Sequence, residues 1–127
     1  MLIYPKPTVY LIEADPGAQE RVAAALAGFA KAVVTFDCTL AFLSERQVEE
    51  YACVIVELEP PDMGVLDFVA TAGRILPVIV VGRTEDLEVA VDIMRAGAAN
   101  FLDRPCDGRR LRAAVRAATK ALLPDDS

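Results

Sequence analysis

The sequence predicts one α/β domain, a doubly wound parallel sheet covered by helices on both faces. Three observations predict it. The chain has 127 residues, 54% of them apolar, which suits one hydrophobic core and is too apolar for disorder. Five short β-rich runs alternate with five stretches of helical periodicity, the order that builds βαβ units. The central run, Cys53–Leu58 (CVIVEL), is almost wholly apolar, as expected of a strand covered on both sides.

Taken in order, Thr8–Ile12 (TVYLI) is a short buried strand ending at acidic Glu13. Asp15-Pro16-Gly17 turns the chain into a helix over Ala18–Phe29, with Pro16 near the first turn. Ala32–Phe36 (AVVTF) is the second strand, and Leu40–Val48 reads as a helix that Thr39 is placed to cap. After the central strand, Glu59-Pro60-Pro61-Asp62-Met63-Gly64 forms a rigid turn, because Pro lacks the amide donor a strand needs. Leu66–Leu76 is helical, Pro77–Val81 (PVIVV) is the fourth strand, and Glu85–Ala96 is a helix closed by Gly97. Asn100–Asp103 (NFLD) and Gly108–Leu122 complete the set as the fifth strand and last helix, with Pro124–Ser127 a frayed end. Residues 7–123 make up the expected domain, flanked by short extensions.

Composition excludes several classes of function. The chain contains no histidine, which removes the commonest general base and the commonest metal ligand together. Its three cysteines, Cys38, Cys53 and Cys106, form no C-x-x-C pair and read as reduced thiols, with Cys53 and Cys106 packed like small apolar residues. No metal site, cofactor or enzymatic activity is expected. The net charge of −6 argues against nucleic-acid binding by this domain alone. Residues 1–63 hold 4 Lys/Arg against 10 Asp/Glu and residues 64–127 hold 9 of each, so the acidic excess lies in the first half. No apolar run is long enough to cross a bilayer, and the start, MLIYPKPT, lacks the features of a secretory signal. A cytoplasmic location is expected.

In a parallel α/β sheet the functional crevice lies beyond the carboxyl ends of the strands. Those ends are Glu13, Glu57, Gly82 and Arg104, which should converge. The segments TVYLIEADP, CVIVELEPPDMG, LPVIVVG and VDIMRAGAANFLDRPCD together resemble the receiver domain of two-component response regulators, most closely the nitrogen-fixation-regulator type. The resemblance runs from about Thr8 to about Leu123. It implies a flavodoxin-like strand order of 2-1-3-4-5, a role in a signalling phosphorelay, and a cis bond at Arg104-Pro105.

A working receiver needs an acidic pair for Mg²⁺, an acceptor Asp, a hydroxyl after the fourth strand and a Lys before the fifth-strand Pro. Mg²⁺ demands compact octahedral oxygen ligation, and phosphoryl oxygens need cation and hydroxyl contacts. This chain departs at each position. Glu13 and Ala14 stand at the acidic pair, Glu57 at the acceptor, Gly82 at the hydroxyl and Arg104 at the lysine. Asp15, one residue past the pair, points elsewhere. Glu57 is a methylene too long, Ala14 removes a metal ligand, and Arg104 is a planar fork suited to gripping a carboxylate. The resemblance thus implies a degenerate receiver that has lost Mg²⁺ binding and phosphate switching.

Two readings of the site stay open. Glu57 and Arg104 pair and lock one conformation, or Glu57 points into solvent and the site is a relic. Phe101 matches the aromatic switch position of receivers and reads equally well as a core aromatic. On the last helix, Arg109, Arg112, Arg116 and Lys120 form a stripe opposite Leu111, Val115, Ala118 and Leu122. With Glu88, Asp92 and Arg95 of the preceding helix, Arg109, Arg112 and Arg116 are a candidate interface, since receivers commonly pair through this face. The alternative is a solvated basic face.

Three functions compete. The first is phosphorylation-independent binding of a protein partner or of a second copy. The second is a Mg²⁺-dependent acceptor using Glu57 or Asp62. The third is the receiver part of a longer transcription regulator.

Overall fold

A computed structural model describes residues 5–124 of the chain; the expected frayed end at 125–127 lies outside the described residues. The element order is β1 (Thr8–Ile12), α1 (Pro16–Leu26), β2 (Ala32–Phe36), α2 (Thr39–Leu43), β3 (Ala52–Glu57), α3 (Val65–Ala72), β4 (Val78–Gly82), α4 (Leu87–Arg95), β5 (Asn100–Asp103) and α5 (Gly108–Lys120). All five strands run parallel in the order β2-β1-β3-β4-β5. The doubly wound expectation holds.

Two cores sit on the two faces of the sheet. Tyr10, Ile12, Val54, Val56 and Val80 point to one face with Phe42 of α2, Phe68 and Val69 of α3 and Ile93 of α4. Val9, Leu11, Ile55, Ile79 and Leu102 point to the other with Leu26 of α1 and Leu111, Ala114 and Val115 of α5. This alternation explains why the central strands read as continuous apolar runs, since each residue is buried on one side or the other. An aromatic chain, Tyr10–Phe42–Phe68, with Phe36 against both Tyr10 and Phe42, fills the first core.

Helix bounds depart from the periodicity where caps and glycines override it. The Asp15 carboxylate accepts from the Ala18 amide at 3.0 Å, so α1 begins at Pro16. It ends at Leu26 rather than Phe29 because Gly28 adopts φ +77° and turns the chain. Asp86 and Asp107 cap α4 and α5 in the same way, accepting from Glu88 and Arg110. Gly97 has φ +114° and closes α4 as expected.

The second helix departs most. It spans five residues, not the nine of Leu40–Val48, and Leu40 is exposed while Thr39 and Phe42 are buried. Thr39 is not the cap. Asp62, from the loop after β3, accepts from the Thr39 amide and hydroxyl and from the Leu40 amide at 2.8–3.0 Å. These bonds fix the helix's rotation. Beyond Leu43, the Ser44 hydroxyl donates back to the Leu40 carbonyl, and the Tyr10 hydroxyl accepts from the Glu49 amide. The segment is thereby pinned without further helix.

Candidate functional site

Register builds the site. Ile12 pairs with Val56, so Glu13, the next residue of its chain, follows that rung beside Glu57. Glu57 pairs with Val81 and Gly82 with Asp103, so Arg104 stands one step past the last rung of β5. The Arg104 amide donates to the Gly82 carbonyl at 2.9 Å, and the Arg104-Pro105 bond is cis as expected. Glu13, Glu57, Arg83 and Arg104 line one cleft. The predicted convergence at the strand ends is found.

The pairing inside it differs from the one expected. Arg104 Nη2 lies 3.7 Å from Glu13 Oε1. No ion pair joins Arg104 to Glu57 among the described residues, so the expected lock between those two is corrected. The physical reason is burial. Glu13 is only 3% exposed, and a carboxylate taken that far out of water needs a cation more than half-buried Glu57 does.

Glu57 takes another route to neutrality. Burial, then a hydrogen bond to the Glu13 side chain and the negative charge of Glu13, push its carboxyl from the ordinary 4.5 up to about 8. Arg104 and the Ala14 amide pull the other way and lose. At neutral pH Glu57 therefore keeps its proton and donates it in a hydrogen bond to the Glu13 side chain. Glu13 Oε2 is buried and has no hydrogen-bond donor among the described residues other than what the Glu57 carboxyl can offer the Glu13 side chain. The solvent-pointing alternative for Glu57 is not what the geometry favours.

The other sequence positions fall as follows. Ala14 presents only a methyl group, and Asp15 is occupied in capping α1, with Arg21 3.8 Å away. A side chain on Gly82 would collide with the Leu58 side chain, which fills the space beside the end of β4. Leu58 escaped the sequence reading, which placed it in the strand rather than just past it. Phe101 is half-buried and packs into the core shared by α2, α3 and α4, the ordinary place for an aromatic on a short strand.

Asp62 is spoken for. Desolvation is the largest single influence on its carboxyl and raises it, but the Leu40 and Thr39 amides, the Thr39 hydroxyl and Cys38 together outweigh it and hold the carboxyl down at about 2. Its oxygens already accept three bonds.

As a seat for Mg²⁺ these donors are a poor match. Near-octahedral oxygen ligation needs several carboxylate or carbonyl oxygens free of other cations. Here one carboxylate is paired with a guanidinium, the acceptor position carries the longer glutamate, and the third position is alanine. No cluster of three acidic or cysteine side chains arranged for a metal occurs among the described residues.

The basic stripe of α5 also resolves differently from expectation. Arg112 donates to the Ala25 carbonyl at 3.0 Å, satisfying a last-turn acceptor of α1, and Arg116 lies 5.2 Å from the Phe29 ring centroid. Both therefore serve α1–α5 packing. They do not face Glu88 and Asp92, because α4 packs on the opposite face of the sheet from α5. Glu88, Asp92, Arg95 and Arg109 remain exposed.

What the sequence reading missed is the outer side of α4. Leu87, Val91 and Met94 are 77%, 38% and 44% exposed, and their i, i+4, i+7 spacing puts them on one stripe. The spacing is present in the sequence, but period alone does not tell an outward stripe from a core-facing one; only Ile93 of this helix is fully buried.

The fold is that of the receiver domains of the response-regulator class. The comparisons give it closer company: the chain is homologous to the receivers of FixJ and TodT. It is 30% identical over 112 residues to the transcriptional regulatory protein FixJ of Azorhizobium caulinodans, covering 86% of this chain and 53% of that protein. It is 26% identical over 115 residues to the response regulator protein TodT of Pseudomonas putida, covering 88% and 51%. The solved structure of FixJ-N superposes with a TM-score of 0.82 at 25% identity, covering 96% of this chain and all of that one. The chain spans about half the length of the curated relatives it matches. No protein-family model matches it.

Proposed function

We propose that this receiver works without aspartyl phosphorylation, as a protein-binding module held in one conformation by its own side chains. The observation that carries the reading is the Glu13–Arg104 ion pair. It puts a resident cation on the acid that would otherwise face a metal. Glu57 supports the same conclusion, being longer than aspartate and, in the metal-free chain, held neutral beside Glu13. Leu58 closes the space that a switch hydroxyl on residue 82 would use. On this reading Mg²⁺ binding is lost as well. Acceptor chemistry at Asp62 is disfavoured because its oxygens are engaged in holding α2.

The partner surface we assign is α4, where Leu87, Val91 and Met94 make an apolar stripe flanked by Glu88, Asp92 and Arg95. Apolar residues bordered by charge suit a protein partner, a second copy included. The domain is then the receiver portion of a longer regulator or a free-standing adaptor.

Incubation of the chain with acetyl phosphate and millimolar Mg²⁺, followed by intact mass measurement, tests the central statement. An unchanged mass is expected. A stoichiometric phosphate adduct overturns it. Sedimentation of the wild-type chain and of Val91→Glu, alone and with candidate partners, tests the surface, with association expected to weaken in the variant.

A further inference from the structure

The cleft holding Glu13 and Glu57 extends well beyond the two carboxyls. It has a volume of about 480 Å³, within the range of small-molecule sites. From the strand ends it runs down between α1 and the start of α5. Its walls are the side chains of Leu11, Ile55, Val81 and Leu111, with Val22 and Ala25 along the α1 side. Leu11, Ile55, Val81 and Leu111 are themselves buried and form only the deep floor, so the open apolar lining is that of Val22, Ala25, Pro105 and Cys106.

The mouth carries three cations, Arg21, Arg83 and Arg104. Arg104 is shared with Glu13 at 3.7 Å, and Arg21 is shared with the exposed Asp15 at 3.8 Å. Arg83 is exposed and has no ion pair or hydrogen bond among the described residues. Glu13 and Glu57 are the two acids lining the cleft against these three cations, and Glu13 already faces Arg104. A positive mouth over an apolar floor in a protein of net charge −6 is a local inversion. It selects for anions that bring an apolar body.

We infer that this cleft binds a small amphipathic carboxylate, its anionic group held by Arg83 with Arg104, its apolar body between α1 and α5. Such a ligand would sit where α1, β3, β4 and the start of α5 meet, and would act as the signal that phosphate does not supply. The inference rests on the reading that the pocket takes no phosphoryl group. A planar guanidinium grips a carboxylate through two bonds, and the apolar walls contribute affinity without demanding a particular chain.

The test uses the whole chain, ¹⁵N-labelled and titrated with 3-phenylpropionate. The control is 3-phenylpropylamine, which has the same body and the opposite charge. Saturable amide shifts are expected at Ala14, Arg83 and Cys106, with the amine weaker by at least ~10-fold, as loss of a charge-assisted pair implies. Arg83→Ala, an exposed position, should weaken binding by a similar ~10-fold. Ala25→Leu should abolish binding by filling the floor, with its thermal midpoint measured alongside to show that the chain is folded.

Absence of saturation up to ~10 mM, a range that would still reveal a very weak site, overturns the inference. Equal response to the amine, or shifts confined to Leu87, Val91 and Met94, does the same. The acetyl phosphate experiment separates the two failures. An adduct sinks the phosphate-independent reading, whereas no binding with no adduct sinks only the ligand site.

Discussion

Replacing Glu57 by glutamine probes the shared proton directly, because the amide imitates the neutral acid at every pH. Glu57 ionises at about 8 in the folded chain, against an ordinary 4.5. Between those two values the folded state binds a proton that the unfolded state has released. Stability from this group is therefore complete below pH 4.5, declines as pH rises, and is gone above about 8. Each tenfold change in proton affinity is worth about 1.4 kcal/mol, which sets a ceiling of several kcal/mol. The half-open site lets water screen much of it, leaving about 1–2 kcal/mol.

Glu57→Gln lacks that decline. Urea unfolding followed by circular dichroism at pH 5, 7 and 9 should show the two proteins close together at pH 5. The variant should be more stable by about 1–2 kcal/mol at pH 9. Subtracting the two pH profiles removes every other titrating group. Parallel profiles, or a variant less stable than wild type at pH 9, would refute the shared-proton reasoning. A Glu57–Arg104 lock makes the opposite forecast, since glutamine would then break an ion pair.

Other expectations follow from the same geometry. Gly82→Thr restores a hydroxyl but drives its Cβ into Leu58, and should cost about 1–3 kcal/mol as overpacking does. Adding Leu58→Ala should recover part of that loss in a double-mutant cycle, and strict additivity would show that the two side chains do not compete. Asp62→Ala should speed hydrogen exchange at the Thr39 and Leu40 amides. Because the Asp62 carboxyl is held down at about 2, that protection should persist above pH 4 and fade as pH falls toward 2; unchanged exchange would mean that α2 is fixed by packing alone. The fully buried Cys53, whose thiol is pushed up to about 12 by burial, should resist a water-soluble disulfide reagent at pH 8 until urea is added. Cys38 and Cys106, each partly exposed, should react in the folded chain, and early labelling of Cys53 would show that the core opens locally.

Much of the fold was legible because it rests on period and punctuation. A strand covered on both faces must be apolar throughout, so CVIVEL and PVIVV declare themselves locally. Asp15, Gly97 and the strand-end positions Glu13, Glu57, Gly82 and Arg104 were readable too, since caps, turns and strand termini are short-range features. The full extent of α2 was not. Its geometry depends on Asp62, 23 residues away along the chain, and local periodicity carries no trace of so distant an acceptor.

The sequence by itself determined which side chains meet at the carboxyl end of the sheet, because alternation and connection rules leave little choice about where strands end. Only the tertiary structure decided how those side chains divide their charges. Arg104 reaches Glu13 rather than Glu57, and Arg112 and Arg116 turn to α1 rather than α4. Coulomb and desolvation terms depend on distances of a few ångströms and on which carboxylate is sealed from water, and neither quantity is written in residue order.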